Sequence, residues 1–191
     1  GGYWAWDPVE NSSLIPWLFL TAQVHALFIK QQRRGLLRFS LFVVCLTFWS
    51  VLYGTFLTRS GVLADFSVHS FVDLGINQFL VSGLLFFILL SSFFLIYRWG
   101  DIKPEPSFSK VVSRSYLVTL GILVLFVGGV LVLMGTSSPL LTRFAENPSN
   151  VGMSYYFTTM TPIGIALLIL VGLFPAFKWN EGVAKPKLLM V

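Results

Sequence analysis

Long apolar segments divide the chain, and its polar residues are concentrated between them. The segments 36–57, 79–97, 116–135 and 160–177 together contain one charged residue, Arg38. An α-helix of about 20 residues crosses a hydrocarbon core of roughly 30 Å, so each segment is long enough or nearly long enough to span a membrane. A further apolar segment occupies 14–29. We therefore predict an all-α polytopic transmembrane bundle of about five spanning helices.

The start of the first helix has a recognisable capping pattern. Asp7 is suited to the N-cap, Pro8 to the first turn, and Glu10 to the acidic position of a capping box.

The predicted segments then follow in order: outer tryptophan-rich segment 1–13, span 14–29, span 36–57, outer loop 58–78, span 79–97, cytoplasmic loop 98–115, span 116–135, outer loop 136–159, span 160–177 and cytoplasmic tail 178–191.

The basic residues predict how these spans are oriented. Eleven of the 13 Lys and Arg residues fall on one side of the predicted bundle, and only Arg59 and Arg143 fall on the other. Basic residues are retained in the cytoplasm, so the N-terminal segment and the loops 58–78 and 136–159 are predicted to face outward. The net charge of +5 is thus explained by topology, and no nucleic-acid partner is expected.

The amino-acid composition also favours a membrane protein over a soluble one. Only 11% of the residues are charged, against roughly 25% in an average soluble domain. The single cysteine, Cys45, excludes an intrachain disulfide or a CxxC redox pair, and it is expected to pack as a small apolar residue. The sequence has no Ser/His/Asp set, zinc-ligand spacing or phosphate-binding glycine loop. It opens without Met and is expected to be a piece of a larger bundle.

The opening segment GGYWAWDPVENSSLIPW is rich in aromatic residues that belong at headgroup depth: Tyr3, Trp4, Trp6 and Trp17. One interpretation is an aromatic belt that anchors a helix end. Another is a flat apolar platform for a planar ligand, for which haem, a quinone and a lipid are all suitable. The residues by themselves do not choose among these.

The two histidines lie at different depths. His25 is about 17 residues into the first helix, or roughly 25 Å from its outer end, where an ionisable residue usually faces a bundle interior or a cofactor. It is interpreted either as a neutral histidine bonded to a neighbouring helix or as an axial ligand to haem iron. Gln23 is predicted to point to a different face. Because so much of the bilayer separates the histidines, they are expected to serve different haems or different functions.

His69 lies in the outer loop GTFLTRSGVLADFSVHSFVD. The alternatives are a solvated surface residue and a ligand to iron. Arg59, the basic residue of this loop, either anchors the end of span 36–57 or pairs with a haem propionate, because a guanidinium binds a carboxylate through two hydrogen bonds. Asp65 and Asp73 flank the histidine without an evident acid–base geometry.

Three separated motifs carry a family resemblance. The opening segment resembles the tryptophan-rich (WWD) signature of the haem-handling proteins of cytochrome c maturation. The downstream segments GTFLTRSGVL and SVHSF narrow it to the CcmF/NrfE-type haem lyases. The resemblance implies that His25 ligates a transmembrane haem b and that His69 ligates haem delivered to the outer face. It also implies that the haem-binding signature consists of Trp4, Trp6, Asp7, Pro8, Glu10 and Asn11. Trp17 and Arg59, proposed above from their chemistry, complete the predicted haem-binding set.

The same resemblance implies a reaction, partners and a location. The two thiols of an apocytochrome c CxxCH motif would add to the haem vinyl groups, with haem as substrate and a multi-subunit lyase holding it. The implied partners are a CcmE-type haem chaperone, a thiol-handling CcmH-type subunit and the bilayer of a bacterial inner membrane. Partner ligands for both histidines are expected outside these 191 residues.

Two further functions remain open from the sequence. In a haem transporter or exporter, the platform would be a way station rather than a reaction site. In a non-catalytic assembly scaffold, the outer loops would bind partners and the tryptophans would form only a belt.

Overall fold

The computed structural model describes residues 3–30, 36–71, 75–102, 113–142 and 150–179, and its elements are helices. In chain order these are α1 (Pro8–Lys30), α2 (Leu37–Arg59), α3 (Asn77–Tyr97), α4 (Arg114–Thr136), the single turn α5 (Ser138–Leu141) and α6 (Met153–Leu173), which continues into a 3₁₀ turn (Phe174–Ala176). Within the described residues, five helices are long and apolar enough to span a membrane. The predicted fold class is confirmed.

Helix α1 begins at the predicted cap. The Asp7 Oδ1 atom accepts a hydrogen bond of 2.8 Å from the Val9 backbone N–H, as an N-cap side chain does. The Glu10 carboxylate accepts from the backbone N–H of Ala5, at 3.0 Å. In a capping box it would instead accept from the N-cap residue itself, so Glu10 secures the chain two residues before the cap.

Helix α1 is central to the bundle and packs against both α2 and α4. Its residues Phe19 and Ala22 are fully buried, and they form a continuous apolar core with Val43 of α2, Val132 of α4 and Tyr156 of α6. The opposite face of α1 is exposed in the described part of the chain, at Trp17, Leu20, Val24, Leu27 and Phe28. Within this part of the chain, helix α1 is therefore enclosed on one face.

Glycines permit the closest helix contacts. A Cβ atom built on Gly54 of α2 would lie 3.1 Å from the Ser12 carbonyl oxygen, and one built on Gly129 of α4 would lie 2.6 Å from a ring carbon of Phe19. Small residues at such crossings let membrane helices approach closely, which is the main source of their packing energy.

We expect Gly129→Ala to lower the free energy of unfolding by about 1–3 kcal/mol, the usual cost of overpacking a core. The ring of Phe19 is completely buried and has no open side toward which to move. Thermal unfolding in mild detergent measures the effect. The control is Gly121→Ala on the same helix, where an added Cβ meets nothing within 4 Å. Equal stabilities of the two variants would contradict the close packing of α1 on α4.

The tryptophan-rich segment, the α2–α3 loop and the α4–α6 connection meet at one end of the bundle. The Ser67 hydroxyl of the loop binds Asp7 at 2.8 Å, and the Tyr53 hydroxyl of α2 lies 2.7 Å from the Ser137 hydroxyl at the end of α4. The three segments predicted to face outward thus lie, in their described parts, at the same end of the bundle. Which end faces the cytoplasm stays a prediction.

At the opposite end, two arginines each connect the start of one helix to the segment that follows a neighbouring helix. Arg38 of α2 donates to the carbonyls of Trp99 and Ile102, which follow α3, and lies over the Trp99 ring. Arg114 of α4 donates to the carbonyls of Phe174 and Pro175, which follow α6, and lies over the Phe174 ring. Each guanidinium thus binds the segment that follows a neighbouring helix.

Candidate functional site

The tryptophan-rich segment is organised around a buried asparagine. Asn11 has no exposed surface. Its Oδ1 atom accepts from the Trp4 indole N–H at 3.3 Å, and its Nδ2 group donates to the Trp6 carbonyl at 3.0 Å. A buried side-chain amide is costly unless it is hydrogen-bonded, so this pairing fixes both tryptophans relative to the first turn of α1.

Trp6 is held in an uncommon backbone conformation. Its φ angle of 55° lies in the left-handed region, which costs a residue other than glycine about 1–2 kcal/mol. The Trp6 ring stacks on Tyr156 of α6, with centroids 4.9 Å apart and an interplanar angle of 4°. Tyr156 is itself buried, at 1% exposure. Stacking and the bond from Asn11 offset the backbone strain, so Trp6 joins the segment to α6.

Trp4 and Trp17 are placed differently from Trp6. Trp4 meets the Trp6 ring edge-on, at 6.3 Å between centroids, and remains 40% exposed at the end of the bundle. Trp17 is 58% exposed, but it lies about nine residues after Pro8 and therefore roughly 14 Å further along α1. The structure brings Trp4 and Trp6 together. It leaves Trp17 apart from them, on the exposed face of α1.

One carboxylate joins this segment to the histidine loop. The Oδ1 atom of Asp7, which caps α1, also accepts from the Ser67 hydroxyl at 2.8 Å and lies 3.7 Å from the Nδ1 atom of His69. The Ser67 hydroxyl in turn accepts from the backbone N–H of His69 at 3.1 Å. The His69 side chain is 57% exposed and that of Asp7 only 13%. A partly buried acid thus lies beside an accessible imidazole.

Arg59 lies at the base of the same loop. Its guanidinium carbon is 3.9 Å from the centroid of the Phe71 ring, a cation–π contact. The backbone N–H of Phe71 donates to the Thr58 carbonyl at 3.0 Å, which returns the loop to the end of α2. The left-handed bend at Gly61, with φ of 72°, starts that return. Arg59 and His69 therefore belong to one compact loop.

His25 occupies a separate and apolar environment. Its Nδ1 atom lies 2.8 Å from the Thr21 carbonyl oxygen. A carbonyl only accepts, so Nδ1 carries the proton and the Nε2 lone pair of the neutral ring is available to a metal. His25 lines an open groove of about 470 Å³ between α1, α4 and α6, which we call the His25 groove; its other lining residues include Phe28, Leu117, Gly121, Leu167 and Phe174.

The His25 groove fits haem, and at the other end of the bundle the His69 imidazole is accessible. A free imidazole nitrogen beside an apolar groove is the donor and the surrounding that haem iron requires. Within the described ranges no three His, Cys, Asp or Glu side chains form a candidate metal cluster. Asp7 and His25 are about 18 residues apart on α1, or roughly 27 Å, so the two sites are distinct.

Three contributors to this geometry were not predicted from the sequence. Asn11 was identified as part of the signature but not as its buried centre, and Ser67 and Tyr156 were not singled out. Ser67 has a signal in the sequence, since it stands two residues before His69, the spacing of a hydroxyl that binds the backbone ahead of it. The stacking of Tyr156 on Trp6 has no such signal.

Comparison with known proteins gives consistent matches. A sequence profile of the family described as Cytochrome C assembly protein matches residues 1–64. The cytochrome c-type biogenesis protein CycK of Bradyrhizobium diazoefficiens is 37% identical over 95% of this chain and 27% of its own length. In Escherichia coli strain K12, CcmF is 31% identical over 95% of this chain and 28% of its length, and the probable biogenesis protein NrfE is 35% identical over 90% and 31%.

A solved structure matches over the same extent. The cytochrome c haem lyase CcmF superposes with a TM-score of 0.67 at 30% identity, covering 100% of this chain and 26% of that one. The chain thus spans only 26–31% of the length of these relatives.

Proposed function

Because this chain belongs to the CcmF/NrfE-type family of cytochrome c-type biogenesis proteins, we propose that it acts in a membrane haem lyase and holds haem at the tryptophan-rich end of the bundle. The observation that carries the proposal is the link from Asp7 to the His69 loop. It places an accessible imidazole at the same end as the exposed face of Trp4.

The residues would divide the work of holding the substrate haem. His69 would ligate the iron through Nε2, and Trp4 would cover part of the macrocycle with its flat apolar surface. Arg59 would pair with a propionate through the edge of its guanidinium, while its face rests on Phe71. None of these groups reacts covalently, so the chain supplies ligation, orientation and charge pairing.

The bond-forming step belongs to the substrates. Each thiol of a CxxCH motif adds across one haem vinyl group, with sulfur bonding to one vinyl carbon and hydrogen to the other. This addition releases no leaving group. It therefore needs from the protein a fixed approach of thiol to vinyl, which agrees with a site built from ligands and aromatic surfaces.

His25 would hold a second, resident haem b in the His25 groove, with its other ligand from outside the described residues. This group supplies one-electron chemistry when it is bound. The chain's contribution is the Nε2 lone pair, oriented by the bond from Nδ1 to the Thr21 carbonyl, and the apolar lining of the groove.

The proposal extends to partners and orientation. Apocytochrome c, a CcmE-type haem chaperone and a CcmH-type thiol-handling subunit would approach the tryptophan-rich end, where Tyr3 and Val68 are almost fully exposed. The end that carries Arg38, Arg98 and Arg114 would face the cytoplasm of a bacterial inner membrane.

A maturation assay tests the function. Full-length protein with its partner subunits is expressed with adequate haem, and covalent haem on a reporter cytochrome c is measured. We expect His69→Ala to lower it at least about tenfold, given that even outer-shell changes weaken metal sites by about 10–100-fold. Val68→Ala, at the exposed adjacent position, is the control. If the unaltered protein supports no covalent attachment, the lyase proposal fails.

A further inference from the structure

The Asp7 carboxylate serves three groups through one oxygen atom. Oδ1 accepts from the Val9 N–H at 2.8 Å and from the Ser67 hydroxyl at 2.8 Å, and it lies 3.7 Å from His69 Nδ1. The first bond alone would account for an N-cap. The other two contacts reach a loop 60 residues later in the chain, which helix capping does not require.

Ser67 is the second part of the arrangement. Its hydroxyl donates to Asp7 and accepts from the backbone N–H of His69, so it connects the carboxylate to the backbone that carries the imidazole. Ser67 is buried, at 8% exposure, and Leu63 anchors the preceding turn with no exposed surface, its carbonyl accepting from the Ser67 N–H at 2.9 Å. The backbone that carries His69 is thereby fixed to the first turn of α1.

The orientation of the imidazole has a chemical consequence. Because Nδ1 is the nitrogen beside the carboxylate, Nε2 is the nitrogen left for a ligand, on a side chain that is 57% exposed. A carboxylate that accepts from one imidazole nitrogen fixes the tautomer, orients the ring and makes the other nitrogen a stronger ligand. At 3.7 Å the pair is longer than a hydrogen bond, and a positioning role for Asp7 requires it to shorten.

We propose that Asp7 and Ser67 are positioning residues for His69, with Asp7 directing Nε2 toward haem iron and Ser67 fixing the loop that carries the ring. This inference rests on the proposed function, in which His69 ligates the substrate haem. It assigns the aspartate of the tryptophan-rich segment a role in ligation in addition to its role in starting α1.

The test uses full-length protein purified in mild detergent. Asp7→Asn retains a good N-cap side chain but removes the charge, and Ser67→Ala removes both hydroxyl bonds. We expect each to weaken haem binding at the outer site by about 10–100-fold. We also expect Asp7→Asn to lower the iron–histidine stretching frequency in resonance Raman spectra and to raise the reduction potential, because the imidazole becomes a weaker donor.

Matched controls separate positioning from general effects. Asp65→Asn removes an exposed acid of the same loop, and Ser70→Ala removes an exposed hydroxyl that donates to the Phe71 carbonyl at 3.4 Å. Both should bind haem as the unaltered protein does. Retention of the haem in the His25 groove shows that each variant is folded.

The two proposals can fail separately. If His69→Ala abolishes outer-site haem but Asp7→Asn and Ser67→Ala match their controls in affinity and in iron–histidine frequency, the positioning role is wrong and the ligand assignment stands. If His69→Ala itself retains outer-site haem with an unchanged spectrum, the ligand assignment is wrong and the positioning role falls with it.

Discussion

Replacement of His25 by Ala is expected to abolish the absorption of haem bound in the His25 groove, while His69→Ala leaves that absorption in place. The groove offers an iron ligand at His25 Nε2, and its surroundings there are almost entirely apolar. The measurement is a reduced-minus-oxidised spectrum of full-length protein, expressed with ample haem and purified in mild detergent. Haem retained at full occupancy in His25→Ala would exclude this ligand.

Gln23 provides the matched control for helix disruption. It lies two residues from His25 but is 3% exposed, and its Nε2 group donates to the Ser40 hydroxyl of α2 at 2.8 Å. Gln23→Ala therefore disturbs α1 packing more than His25→Ala does, yet it should keep the groove haem.

A steric variant tests the groove independently of the ligand. Gly121 lines the groove, and an added Cβ there meets nothing within 4 Å, so Gly121→Ala should bind haem. Gly121→Leu extends a branched side chain into the same space and should lower occupancy while His25 is intact. Unchanged occupancy in Gly121→Leu would place the haem elsewhere.

Trp6→Ala is expected to lower stability much more than Trp4→Ala does. Trp6→Ala loses the stack on Tyr156, so only the bond from Asn11 to the backbone carbonyl remains to offset the strain. We expect a stability loss of about 2–3 kcal/mol, somewhat below the about 3–5 kcal/mol for a fully buried tryptophan. Trp4→Ala removes a more exposed ring, and should weaken outer-site haem binding with a smaller change in stability.

Thermal unfolding and haem titration of both variants measure this difference. Trp4→Phe is the control for Trp4, since it keeps an aromatic face and loses only the indole bond to Asn11. It should retain most of the haem affinity. Equal stability losses for Trp4→Ala and Trp6→Ala would show that the two rings share one structural role, as in a simple aromatic belt.

The helices were predictable from local sequence, and the reason is physical. An apolar run of about 20 residues has few alternatives to a spanning helix, because the bilayer satisfies no backbone hydrogen bonds. The Asp7 cap was equally local. The separation of Gln23 from His25 also followed from helical geometry, and it is confirmed by the burial of Gln23 against α2 and the exposure of His25.

The site was less predictable because it depends on contacts across the chain. The stack of Trp6 on Tyr156 joins positions 150 residues apart, and no periodicity fixes the rotation of α6 that produces it. Trp17 was grouped with Trp4 and Trp6 because of its nearness in sequence, but α1 carries it away from them. Asn11 gave no sign of its burial, since an asparagine near a helix start is usually exposed.

Arg38 and Arg114 have two separate effects, one on insertion into the membrane and one on the folded structure. During insertion into a membrane, the translocation machinery responds to the number of positive charges beside a span, and lysine counts there as well as arginine. The folded protein uses Arg38 and Arg114 as planar donors that grip the carbonyls after α3 and α6 and stack on Trp99 and Phe174. Lysine at either position would preserve the positive charge that affects insertion. It would not supply the planar hydrogen-bond geometry and ring stacking with which arginine connects each pair of helices.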